Sequence, residues 1–71
     1  MEYTITSEFK MGNLHKFFCK INDSRYLVSN NGQENYYEIF FINSLGELWF
    51  EVYGKSIEDC FKKLNKKLKA V

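Results

Sequence analysis

The chain has 71 residues and a formal net charge of +1, from 10 Lys plus Arg against 9 Asp plus Glu. That length admits one domain of marginal stability, since so short a chain buries only about 60% of the surface its unfolded form exposes. Charge this balanced argues neither for a nucleic-acid partner nor for a membrane surface, and a composition 45% apolar and 18% aromatic belongs to a globular chain, not a disordered one.

No apolar run approaches the roughly 18 residues of a membrane helix. The N-terminus, MEYTITSEFK, lacks the basic start and apolar block of a signal peptide. A cytoplasmic location is expected. Phe, Tyr, Ile, Asn and Lys make up 33 of the 71 residues, proline is absent and Ala70 is the only alanine. These types track AT-rich codons, so a low-GC bacterium, its phage or a mobile element is the expected source.

Residues 2–10 alternate, with Tyr3, Ile5 and Phe9 on one side and Thr4, Thr6, Glu8 and Lys10 on the other; this predicts a first strand. Met11-Gly12-Asn13 reads as a turn. Residues 14–21 follow as a second strand, with Phe17, Cys19 and Ile21 on one side and Leu14, Lys16, Phe18 and Lys20 on the other. Asn22-Asp23-Ser24 is rich in side chains that bond their own backbone in turns. Tyr26-Leu27-Val28 gives a short third strand. Asn30-Asn31-Gly32 carries a hairpin-type Asn-Gly pair, with a loop running on through Gln33 and Glu34.

Two further strands are predicted over 36–42 and 47–53, around Asn43-Ser44-Leu45-Gly46. A four-residue loop would set Glu38 against Glu51, a like-charge pair; a two-residue loop at Leu45-Gly46 would avoid it. Both registers give the same faces, because they differ by an even step. One face holds Tyr37, Ile39, Phe41, Leu48, Phe50 and Val52. The other holds Tyr36, Glu38, Phe40, Ile42, Glu47, Trp49, Glu51 and Tyr53.

Gly54 ends the last strand. Ser56 is a good N-cap, with Asp59 three residues on. Ile57, Cys60, Phe61, Leu64 and Leu68 then recur at helical spacing, with the lysines mostly opposite. The expected fold is α+β: an antiparallel β-meander of four to five strands with one C-terminal amphipathic helix on one face. The helix should take the all-apolar side of the last hairpin, so that Leu48, Phe50 and Val52 meet Phe61, Leu64 and Leu68, with Cys19 and Cys60 both inward.

A single helix covers one face only. The other presents Tyr36, Phe40, Ile42, Trp49 and Tyr53 with Glu38, Glu47 and Glu51 between them. Large exposed apolar patches mark interaction sites, and Tyr and Trp are common anchors there. Alternatively the first strands curl round and close a small barrel over this face, with Tyr3, Ile5 and Phe9 as a lid. The glutamates disfavour a base-stacking platform, which should sit in a basic groove. The helix lysines, Lys62, Lys63, Lys66 and Lys67 among them, offer a second route to nucleic acid, but Arg25 is the only arginine.

Catalytic and metal chemistry finds little footing. His15 is the only histidine and Cys19 and Cys60 the only cysteines, too few for a zinc site. The thiols read as small apolar core residues, with a disulfide as the alternative. His15 reads as an exposed strand residue without an acid or nucleophile beside it in sequence. No cofactor is implied.

Residues 36–68, from YYEIFF through GKSIEDCFKKL, resemble the end of the HicB-type antitoxin domain. Gly54, Ser56, Glu58 and Asp59 match its glycine, helix cap and acidic first turn. The family's proline-rich segment is missing, Cys60 stands where a small alanine is usual, and no appended DNA-binding region follows, so DNA-borne autoregulation is not implied. The resemblance implies a class: small sheet-plus-helix proteins that bind another protein. The expected function is a non-enzymatic protein-binding module, an inhibitor or antitoxin-like regulator. Its contact residues are Tyr36, Phe40, Trp49 and Tyr53, with Glu38, Glu47 and Glu51 setting polarity. The partner is a host or toxin-like protein, or a second copy in a homodimer.

Overall fold

A computed structural model describes residues 2–70. Five antiparallel strands follow one another across a single sheet, in the order β1 (Thr4–Met11), β2 (Leu14–Ile21), β3 (Ser24–Ser29), β4 (Tyr37–Ile42) and β5 (Leu48–Gly54). One helix, α1 (Ile57–Lys69), completes the chain. The meander and its single C-terminal helix are those expected from the sequence. β1 and β5 are the two edges, so the sheet stays open and no barrel closes. The radius of gyration, 11.6 Å, is close to the roughly 11 Å of a compact chain this long. Among the described residues no helix is long and apolar enough to cross a membrane.

Local chemistry sets the turns. Gly12 opens the β1–β2 turn at φ +57° and Asn22 opens the β2–β3 turn at the same angle, as short hairpin turns require. In the longer loop before β4, the buried Asn30 carboxamide accepts from the backbone N–H groups of His15 and Gly32 and donates to the Asn13 carbonyl, at 2.9, 2.9 and 2.7 Å. That one side chain ties the β1–β2 turn to the β3–β4 loop.

The core lies between sheet and helix. Phe17, Cys19 and Ile21 of β2, Tyr26 and Val28 of β3 and Ile39 of β4 pack with Cys60, Phe61 and Leu64 of α1. Cys19 and Cys60 are both inward, as expected, and both are free thiols. Tyr3 stacks on Phe61 at 4.3 Å between ring centroids, so the chain before β1 also goes to the helix side.

The last hairpin departs from the expected faces. The Asn43 N–H donates to the Glu47 carbonyl at 3.1 Å, which leaves three loop residues, Ser44, Leu45 and Gly46. Gly46 holds φ +80°, the left-handed position such a loop needs. An odd loop reverses the faces that an even one would give. Phe41 therefore pairs with Trp49 and Ile42 with Leu48. A bulge with Glu51 as the extra residue then restores the register, so Ile39 pairs with Val52 and Glu38 with Tyr53. Leu48 and Phe50 thus leave the helix side and only Val52 packs against the core. A second bulge, at Thr6, pairs Ile5 with Cys19 but Phe9 with Lys16, so Phe9 parts from Tyr3 and Ile5.

The strand-to-helix junction is tight. The Asp59 N–H donates to Ser56 Oγ at 3.1 Å, and the Asp59 carboxylate accepts from the Lys55 N–H at 3.1 Å. That second bond, before the nearby Lys63 charge, holds the Asp59 carboxyl below its usual range. A Cβ on Gly54 would lie 2.5 Å from Asp59 Oδ2, so Gly54→Ala must push the carboxylate off its bond. The expected result is a Tm lower by about 4–8 °C in a thermal melt, the shift that a lost helix cap gives a domain of this size. An unchanged Tm would mean the junction relaxes freely.

Candidate functional site

The helix leaves one sheet face bare. Pairing across the strands defines its rows. Phe9, Lys16, Ser29, Glu38 and Tyr53 form one, and Ser7, Phe18, Leu27, Phe40 and Phe50 form the next. Lys20, Arg25, Ile42 and Leu48 form a third. Phe50 is 52% exposed, Tyr53 59% and Phe18 42%. Phe40 and Phe50 meet edge-on at 5.8 Å, and Tyr53 lies 6.3 Å from Phe50 and 6.1 Å from Tyr36. At the Ile42 end the face dips into a shallow groove of about 400 Å3 lined by Phe18, Arg25, Leu27, Ile42 and Leu48, with Thr6 and Ser7 of the β1 bulge at its side.

Of the seven residues expected to make contacts, four come together here. Tyr36, Glu38, Phe40 and Tyr53 share the bare face. The Tyr36 hydroxyl donates to Glu38, and that bond is the main reason its phenol is pushed up to about 12. The other three do not join them. Trp49 pairs with Phe41 on the helix side, where it remains 59% exposed. Glu51 turns to the helix side and accepts from Lys67 Nζ at 3.3 Å. Glu47 closes the base of the hairpin loop, accepting from Asn43 Nδ2 at 2.7 Å. The odd loop and the bulge explain the removal of Trp49 and Glu51. In exchange Phe50 and Leu48 enter the face, and Phe9 and Phe18 extend it toward β1. Gly46, in the left-handed position after Asn43, was the sequence mark of that odd loop.

The helix lysines divide. Lys63 Nζ donates to the Tyr53 carbonyl at 2.9 Å and sits 5.3 Å from the Tyr53 ring centroid. Lys67 Nζ donates to the Glu51 carbonyl at 3.1 Å. These carbonyls belong to the outer edge of β5. Two of the four lysines therefore cover a strand edge, a common guard against edge-to-edge pairing, while Lys62 and Lys66 are exposed.

His15 is not the exposed, unpartnered residue its sequence position implies. Its Nε2 lies 2.6 Å from Glu8 Oε2 and its Nδ1 2.9 Å from the Tyr37 hydroxyl. The imidazole links β1, β2 and β4 on the helix side. With both ring nitrogens engaged by protein groups, neither is free for a substrate. Among the described residues no group of three or more His, Cys, Asp or Glu could hold a metal ion. Burial pushes the Cys19 and Cys60 thiols each up to about 11, the opposite of a reactive thiol. No family model, curated protein or solved structure matches this chain.

Proposed function

We propose that this chain is a non-enzymatic protein-binding module that works by stoichiometric occlusion at its helix-free sheet face. The observation that supports this most is the apolar row of Phe18, Leu27, Phe40 and Phe50, half-exposed at Phe18 and Phe50 and partly exposed between them, which no other element of the fold covers. Half-exposed aromatic rings give large contact area with few rotatable bonds to fix, the composition typical of binding hot spots. A sheet face without a deep cavity suits a protein surface better than a small substrate. Two buried, unpaired thiols suit a reducing compartment such as the cytoplasm. A small inhibitor or antitoxin-like regulator has these properties.

A photocrosslinking benzoylphenylalanine placed at Phe50, with a control at Glu58 on the exposed side of α1, tests the reading in cell extract. Protein adducts are expected at position 50 and not at 58. Unmodified chain should suppress them, and chain carrying Phe50→Asp should not. Because Phe50 is already half exposed, that variant should keep its fold and Tm. Nucleic-acid adducts, or equal labelling at both positions, would remove the face from the account.

A further inference from the structure

We infer that the bare face is built to take a second copy of this chain, face to face, about a two-fold axis running along β3. This rests on the reading of the face as a protein-binding surface and names its occupant. The charges on the face are segregated by strand: Lys16 and Lys20 lie on β2, Arg25 on β3, and Glu38 on β4, on the far side of β3 from Lys16. Among the described residues neither Lys16 nor Glu38 has an ion pair within the chain.

A two-fold axis along the central strand lays each β2 over the β4 of the other copy and each β1 over the other β5. Lys16 and Glu38 occupy the same row, joined through Ser29. Each copy's Lys16 then meets the other's Glu38, twice by symmetry. In the next row Phe18 meets Phe40 of the second copy, and Leu27 meets its own equivalent on the axis. These two rows are thus complementary to themselves, the first in charge and the second in apolar content, which an unrelated partner would not require. Aligned packing of two sheets, about 10 Å apart, is a standard way to bury such faces.

The area is at the lower limit for a specific interface. Five strands about 4.8 Å apart and six residues long span a plane of roughly 24 by 20 Å. With side-chain relief this approaches the roughly 600–800 Å2 per partner of a small, stable interface. Two residues of the third row are mismatches: Arg25 would meet its own equivalent at the end of the axis, and Lys20 would lie over Ile42 of the second copy. Another protein at this face must displace the second copy.

The test is charge exchange followed by sedimentation velocity on the full chain. Wild type should dimerise, with a mass twice 8.5 kDa. Lys16→Glu and Glu38→Lys should each weaken the dimer by about 100-fold or more, because each sets two like charges together. An equimolar mixture of the two variants should recover the dimer, since both contacts are then opposite in sign. Arg25→Ser should tighten it. If either charge reversal unfolds the chain, Lys16→Gln and Glu38→Gln read the same contact, each with about 10-fold weakening. A wild type that stays monomeric at millimolar concentration overturns the inference. So does a dimer that neither reversal weakens, or a mixture that fails to recover. Crosslinking from Phe50 to a different protein alongside a monomeric chain would sink this inference and leave the proposed function standing.

Discussion

Replacing Leu64 with Ala should remove about half of the protein's folding stability. Leu64 is fully buried at the centre of the sheet–helix core, with Phe17, Val28, Ile39 and Cys60 in the same cluster. A Leu→Ala change at such a site costs about 2–5 kcal/mol, from lost transfer free energy and from the cavity left behind. At about 0.05–0.15 kcal/mol per residue, the whole domain has only about 4–10 kcal/mol to lose. The helix reaches the sheet through only a few buried side chains, Cys60, Phe61 and Leu64, so no neighbouring layer can close the gap. Leu68, four residues on and 42% exposed, is the matched control, and Leu68→Ala should cost under about 1 kcal/mol. Urea unfolding followed by circular dichroism separates the two. Equal losses for both would mean that the helix does not pack as described.

The two thiols should be inert in the folded protein and released together on unfolding. Burial raises each to about 11 from the ordinary 9.0, which cuts the thiolate fraction at neutral pH about 100-fold, and the thiolate is the attacking species. Both side chains are also shielded from reagent, since Cys19 is 1% and Cys60 0% exposed. The Cys60 thiol donates to the Tyr37 carbonyl at 3.2 Å, a further hold on the protonated form. Labelling by an aromatic disulfide at pH 7 should therefore be at least 100-fold slower than for a free peptide thiol. It should reach that rate for both cysteines at one denaturant concentration. A single fast-reacting thiol in native buffer would show that one of them lies at an accessible site.

Most of the fold was legible because its periodicities are clean. β2 spans the expected residues 14–21, since Phe17, Cys19 and Ile21 recur at every second position between two turns. α1 begins at the expected Ser56 cap, since Ser56 and Asp59 satisfy the first free N–H groups and an apolar stripe follows. The bare face was legible in kind, because one helix cannot cover two sides of a sheet. Its membership was only half legible. Tyr36, Glu38, Phe40 and Tyr53 lie outside the span between the odd loop and the bulge, so period-two counting places them correctly. Leu48, Trp49, Phe50 and Glu51 lie within it, and one residue of offset sends each to the opposite face. Bulges have no strong local sequence mark, and Thr6 and Glu51 both sit inside runs that alternate well on paper. The His15 contacts were beyond sequence reading for another reason: Glu8 and Tyr37 reach it only through sheet pairing.

The same offset changes how the surface works. With Trp49 on the expected face, three glutamates would have ringed it and given it one sign. With Glu51 turned to Lys67 and Glu47 held at the base of the loop, Glu38 remains as the acid and Lys16 as its counterpart across β3. Their shared row is the one on which the proposed pairing of two copies rests. Lys63 and Lys67 meanwhile occupy carbonyls of the β5 edge, which disfavours strand addition there.

The most direct measurement is an isotope-filtered nuclear Overhauser experiment on an equal mixture of labelled and unlabelled chain at millimolar concentration. Intermolecular contacts are expected from Phe18, Leu27, Phe40 and Phe50, and none from Phe61 or Leu64. Intermolecular contacts confined to the helix or to the β1 edge, or none at all, would contradict the face-to-face pairing.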